Sequence, residues 1–158
     1  MKFISKLIMS SVLLISLFAG TAQSSTTDVV KDDIFEAIQN IDIVSLNVLL
    51  AEDADINSVD ENGNTALMLA SRIGNPRMVK IILAHNPNLN LQNDKGYTAL
   101  MIASEQGQIH IVEQLMKLGA DTSLKNMDGF TAAELAIRNG QPQTADLLNG
   151  KSQNSVAR

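Results

Sequence analysis

Four columns of residues recur every 33 positions, and that period restricts the fold of this chain more than any other feature of it. Gly63, Gly96 and Gly129 form one column, and Thr65, Thr98 and Thr131 a second. Ala70, Ala103 and Ala136 form a third, and Gly74, Gly107 and Gly140 a fourth. The tetrapeptide TALM stands at 65–68 and again at 98–101. Extended upstream, the frame puts Ala37 in the alanine column and aligns LLAEDADIN (49–57) with ILAHNPNLN (82–90) and LMKLGADTS (115–123). A fixed period of this length marks an array of like units, each of which buries its apolar face only against its neighbours.

One unit, 60–92, shows what is repeated. Asn62-Gly63 is a turn dipeptide that tolerates positive φ. Thr65 is placed to cap a first helix through its hydroxyl, and ALMLASRI carries that helix to a left-handed stop at Gly74. Asn75-Pro76 opens a second helix, with proline where its missing N–H costs nothing. Val79, Ile82 and Leu83 then share one face, as do Val112, Leu115 and Met116, and Leu46, Leu49 and Leu50. Helices of about two turns are marginal alone, so stacking must supply the core.

The period, the turn and the paired helices resemble the ankyrin repeat, whose motif runs D-x-x-G-x-T-P-L-H-x-A-A, then G-H-x-x-I-V-x-x-L-L, then G-A-D-V-N. One unit here supplies Asp60, Gly63, Thr65, Leu67, Ala70, Gly74, Val79, Ile82 and Leu83. The next supplies Gly96, Thr98, Leu100, Ala103, Gly107, Ile111, Val112, Leu115 and GAD at 119–121. The resemblance covers roughly 32–149 and implies an all-α solenoid of helix-turn-helix units with short β-turn or hairpin tips. The motif's proline is Ala66, Ala99 and Ala132 here, which presets less of each first helix. Its histidine is Met68 and Met101, expected to fill volume without hydrogen bonding between repeats, so a looser stack is expected. Thr131 and Glu134 have capping-box spacing.

The units divide the chain. An N-terminal cap unit, read as a helical half lacking the hairpin, spans 32–59, and repeats follow at 60–92, 93–125 and 126–150. Glu36 stands where later units have Leu69, Ile102 and Leu135, as an end open to water requires. In the last unit QTADLLNG loses most of the second apolar face. Residues 25–31 are expected to form a flexible lead-in and 151–158 a flexible tail.

Residues 1–24 have the layout of a cleavable signal peptide: Lys2 and Lys6, an apolar run from Leu7 to Ala19 broken by three serines, then Ala22 and Ser24. The run is shorter than the ~20 residues that span a bilayer. Cleavage near Ala22–Ser24 implies a periplasmic or secreted protein with no stable membrane insertion afterwards. Taking Lys2 and Lys6 from the twelve basic side chains leaves ten against seventeen acidic ones, a net charge of −7. That balance disfavours nucleic acid and anionic lipid. No cysteine is present, which excludes a disulfide staple, thiol catalysis and lipid attachment.

Catalytic constellations are not evident. His85 and His110 fall at different positions of successive second helices, whereas a zinc site needs about three or four converging ligands. The serines lack a glycine-flanked elbow. GNPR and GQPQ punctuate helices and lack the phosphate-loop lysine. Met68, Met78, Met101 and Met116 fall in packing columns. Ten acidic residues and one lysine between Asp28 and Glu61 are read as a solvated cap, with an acidic surface for a basic partner as the alternative.

The variable surface is then the functional candidate. The resemblance implies that turn tips and first-helix ends line one concave side. The tips are Glu61 and Asn62, Asp94 and Lys95, Met127 and Asp128. Asn64, Tyr97 and Phe130 follow the repeat glycine in one column expected to be exposed. The helix ends give Arg72 and Ile73, Glu105 and Gln106, Arg138 and Asn139. Tyr97 and Phe130 are the expected anchors, flanked by Arg138. The sequence thus points to an exported, monomeric, non-catalytic protein-binding module without cofactor or metal. An accessory subunit of an envelope stress or redox enzyme, a secreted effector and a toxin-immunity protein are the alternatives.

Overall fold

The computed structural model describes residues 34–52 and 54–150. The signal-peptide, lead-in and tail readings fall on residues outside these. The described residues form an all-α solenoid of stacked helix pairs. Helix α1 occupies 34–39. It is followed by α2 (Ile43–Ala51), α3 (Ala66–Ile73), α4 (Pro76–Leu83), α5 (Ala99–Glu105), α6 (Ile109–Lys117), α7 (Ala132–Arg138) and α8 (Pro142–Leu148). First helices α3, α5 and α7 pack side by side, as do second helices α4, α6 and α8. The N-terminal unit contributes both helices of a pair, so it is more than the half unit expected from the sequence.

Thr65, Thr98 and Thr131 start the first helices because their extended backbone turns each hydroxyl onto an orphan N–H. Those N–H groups belong to Met68, Met101 and Glu134, at 3.3, 3.2 and 3.4 Å. A return bond within each unit adds to the expected packing role of methionine. Met68 Sδ accepts the Thr65 N–H at 3.4 Å and Met101 Sδ the Thr98 N–H at 3.5 Å. Methionine therefore closes a capping box with its weakly accepting sulfur, besides filling volume. In the last unit the Glu134 carboxylate does this at 2.8 Å.

Gly74 ends α3 at φ 74°, and the Gln108 amide of the next unit lies where a Cβ would go. The frame puts Ile41 in that same column, and Ile41 adopts φ 56°. A β-branched residue there is strained.

The tips are turns; among the described residues the expected hairpins reduce to one isolated bridge, Val59–Thr65. Successive tips bond to each other instead. Asp94 N–H donates to Asn62 O at 3.2 Å and Met127 N–H to Lys95 O at 3.1 Å. A Cβ on Gly96 would come within 2.8 Å of Met127 N, so only glycine admits that approach. Further back, Asn57 and Asn90 accept the N–H groups of Asn88 and Asp121 at 2.8 and 2.9 Å.

One apolar core runs from Ile34 in the first unit to Leu135 in the last. Leu67, Met78, Ile82, Leu100, Ile111 and Leu115 are fully buried, each side chain worth roughly 1.5–3 kcal/mol. A threonine cap contributes about 1 kcal/mol, so burial between units dominates. Ala70, Ala103 and Ala136 are wholly buried where helices meet.

The ends show what the stack normally covers. Ser71 and Ser104 are buried, whereas Ile137 in their column is 61 % exposed, since no further unit covers it among the described residues. In α8 only Thr144 and Ala145 are buried. At the other end Glu36 is exposed as expected, but Val44 and Val48 are exposed as well. The N-terminal end is therefore not a uniformly polar cap.

Candidate functional site

Three turn tips carry most of the candidate residues, and an Asx side chain organises each tip. Asp60 Oδ1 accepts the N–H groups of Asn62 and Asn64 at 2.9 and 2.8 Å. Asn93 Oδ1 does the same for Lys95 and Tyr97, and Asn126 Oδ1 for Asp128 and Phe130. Asp60, Asn93 and Asn126 are one 33-residue column, a regularity that could have marked them as turn organisers from the sequence. Partial burial works to raise the Asp60 pKa, but the Asn64 side-chain and backbone hydrogen bonds and nearby Arg72 outweigh it and hold the carboxyl low.

Among the candidates, Glu61, Asn62, Arg72, Ile73, Asp94, Lys95, Gln106, Met127, Asp128, Arg138 and Asn139 are exposed. Tyr97, Glu105 and Phe130 are half-buried. Asn64 corrects the expectation for its column. It is only 4 % exposed, its Nδ2 donates to both Asp60 carboxylate oxygens, and its Oδ1 accepts from Asn93 Nδ2 at 2.8 Å. A small amide folds inward to bond the next tip, so Asn64 is occupied structurally and presents little surface.

One register later Tyr97 stands where Asn64 stood, and a phenol offers no side-chain carbonyl there. The Asn126 Nδ2, buried at the next tip, has no hydrogen-bond partner. An unmet buried donor costs about 1–3 kcal/mol. An asparagine at position 97 would present to Asn126 Nδ2 the kind of acceptor that Asn64 Oδ1 presents to Asn93 Nδ2.

Tyr97 and Phe130 border a hollow of about 210 Å³, together with Glu105, Asp128, Leu135, Arg138 and Asn139. Six of these were candidates from the sequence; Leu135 was not, because its column otherwise belongs to the core. The Arg138 guanidinium lies 4.2 Å from the Phe130 ring centroid, in cation–π contact. Asn139 Nδ2 donates to Leu135 O at 2.9 Å and reaches back to Glu105 Oε1 at 3.5 Å. Arg138 pairs with no carboxylate among the described residues. The hollow thus offers two ring edges, a stacked cation, two carboxylates and an amide. Glu61, Asn62, Asn64, Arg72, Ile73, Asp94, Lys95, Gln106 and Met127 do not line it.

Among the described residues no three His, Asp or Glu side chains converge as metal ligands would, and His85 and His110 are both exposed. No helix among them is long and apolar enough to cross a membrane.

Residues 34–126 match the family model of ankyrin repeats in three copies. The chain belongs to the ankyrin-repeat family. No curated protein matches it. The family match includes the N-terminal unit, consistent with its complete helix pair, and stops before the tip that carries Phe130. Ankyrin repeats are in general protein-interaction modules, and in this stack hydrogen bonds between successive tips hold their side chains in register.

Proposed function

We propose that this ankyrin-repeat protein is exported to the bacterial periplasm and binds a protein partner on its concave face, without chemistry of its own. The observation that carries the reading is Tyr97. It interrupts the amide ladder between tips, leaves Asn126 Nδ2 unpartnered, and places an aromatic ring beside Phe130 and Arg138 at one hollow. Residues that violate the local rules of a fold at a stability cost concentrate where function selects them. Aromatic and arginine side chains around a hollow are also the usual energetic anchors of protein interfaces. Export is supported by the basic, apolar, small-residue order of residues 1–24.

Tyr97→Ala should weaken binding of the captured partner by about 2 kcal/mol, roughly thirtyfold. Lys80→Ala, exposed on second helix α4, should leave binding unchanged. Titration calorimetry against the partner recovered by crosslinking from cell-envelope extract compares the two. Normal binding by Tyr97→Ala beside lost binding by Lys80→Ala would move recognition to the opposite face. The intact mass of the exported protein should begin between Gln23 and Thr26; recovery only as a full-length membrane-bound chain would contradict export.

A further inference from the structure

The N-terminal end of the stack carries a second surface that the hollow at Tyr97 does not explain. Helices α1 and α2 border a groove of about 370 Å³, lined by the apolar Ala37, Val44, Val48 and Leu49 and the polar Asn40 and Ser45, with Glu36 and Asp42 at its rim. Val44 is 75 % and Val48 51 % exposed. Position 44 shares its column with Arg77, His110 and Gln143, so every later unit places a polar side chain there. Position 36 shows the converse, an acid where later units bury Leu69, Ile102 and Leu135. The first unit has exchanged polarity at both columns.

Charge narrows what can sit in this groove. From residue 32 to 71 the chain has nine acidic residues and no lysine or arginine. Asp42 stays ionised because Ser45, through its hydroxyl and its N–H, and Val44, through its N–H, bond the carboxylate. The segment just before the groove, STTDVVKDD (25–33), has three acids and one base, so its own charge opposes the rim. Two copies meeting through this face would set acid against acid.

We infer that the groove binds an apolar segment flanked by lysine or arginine on a partner protein, its apolar side chains on Val44 and Val48 and its cations at Glu36 and Asp42. This site is separate from the hollow at Tyr97 and does not depend on it. An apolar floor supplies the attraction, and the acidic rim selects the sign of the partner.

The test uses the purified chain and two short fluorescent peptides with one leucine face, the first with lysine on its polar face and the second with glutamate. Anisotropy at physiological ionic strength should show the lysine peptide binding at least about tenfold tighter than the glutamate one. Val44→Ser with Val48→Ser should weaken the lysine peptide about tenfold, and Glu36→Gln with Asp42→Asn should do likewise. Asparagine also caps helices, so α2 should survive, and circular dichroism checks this. Glu113→Gln with Asp146→Asn removes the same charge elsewhere and should change little. An equal loss from that control would mean diffuse attraction, and an unaffected valine variant would mean that the groove is not the seat; either overturns the inference. So would self-association in sedimentation that Val44→Ser with Val48→Ser abolishes, because a second copy would then be the occupant.

Discussion

Replacing Tyr97 by asparagine should restore the amide ladder that Tyr97 interrupts. The template is in the molecule: Asn93 Nδ2 donates to Asn64 Oδ1 at 2.8 Å, and the 33-residue register carries this geometry to Asn126 and position 97. Tyr97→Asn and Tyr97→Ala both lose a half-buried ring, so that loss cancels in the comparison. They differ in whether the buried Asn126 Nδ2 acquires an acceptor, which is worth about 1–3 kcal/mol. The asparagine variant should therefore be the more stable by that amount, with a melting temperature higher by about 4 °C for each kcal/mol in a domain of this size. Urea unfolding followed by circular dichroism measures it, and partner titration should find both variants weakened alike. Equal stability would refute the ladder argument, because Asn126 Nδ2 would then gain nothing from the introduced acceptor. Retained partner binding by Tyr97→Asn would refute the functional reason for the aromatic ring.

Ile41→Gly should raise stability by about 0.5–1 kcal/mol, since relief of left-handed strain of about 1–2 kcal/mol outweighs the added flexibility that glycine gives the unfolded chain; chemical denaturation would show a lower midpoint if the side chain matters more than the strain. Ala103→Leu should overpack a wholly buried contact at a cost of about 1–3 kcal/mol and more than Ala37→Leu at the first unit, a difference read in the same assay. Glu134 has its pKa lowered by the backbone N–H and hydroxyl of Thr131, with Lys125 adding a smaller attraction. A depressed folded-state pKa stabilises above the unfolded value of about 4.3, and that contribution is lost as pH falls through the lower folded value. Glu134→Gln should accordingly flatten the stability–pH curve in that acid window, lowering stability above it, neutral pH included, and leaving the acid end least affected, as melting at a series of pH values would record.

The stack was legible because it rests on what the period repeats: the threonine caps, the glycine stops and the alanines at helix contacts each recur in place. The bonds between units were harder to read, because they depend on which side chain reaches its neighbour. Asn64 shares a column with Tyr97 and Phe130, yet the small amide turns inward to Asp60 and Asn93 while the rings stay partly outside. Methionine's second role was hidden for a related reason. Packing volume is apparent from residue type, whereas a sulfur aimed at the Thr65 N–H is a matter of rotamer. Ile41 in the glycine column was readable from the frame, but its positive φ only follows once α1 and α2 are seen to form a full pair. Most of the hollow was legible: six of its seven lining residues stand in columns singled out from the sequence, and Leu135 was missed because its column reads as core, where its side chain is indeed buried.

Recognition at the hollow is tested most directly by site-specific photocrosslinking in intact cells. A benzophenone amino acid is introduced at position 97 in one strain and at position 80 in another. Position 97 borders the hollow, and position 80 lies exposed on second helix α4. The predicted result is a discrete adduct of one mass from position 97, competed by excess unlabelled wild-type protein, and none from position 80. An adduct from position 80 with none from position 97 would contradict recognition at the hollow.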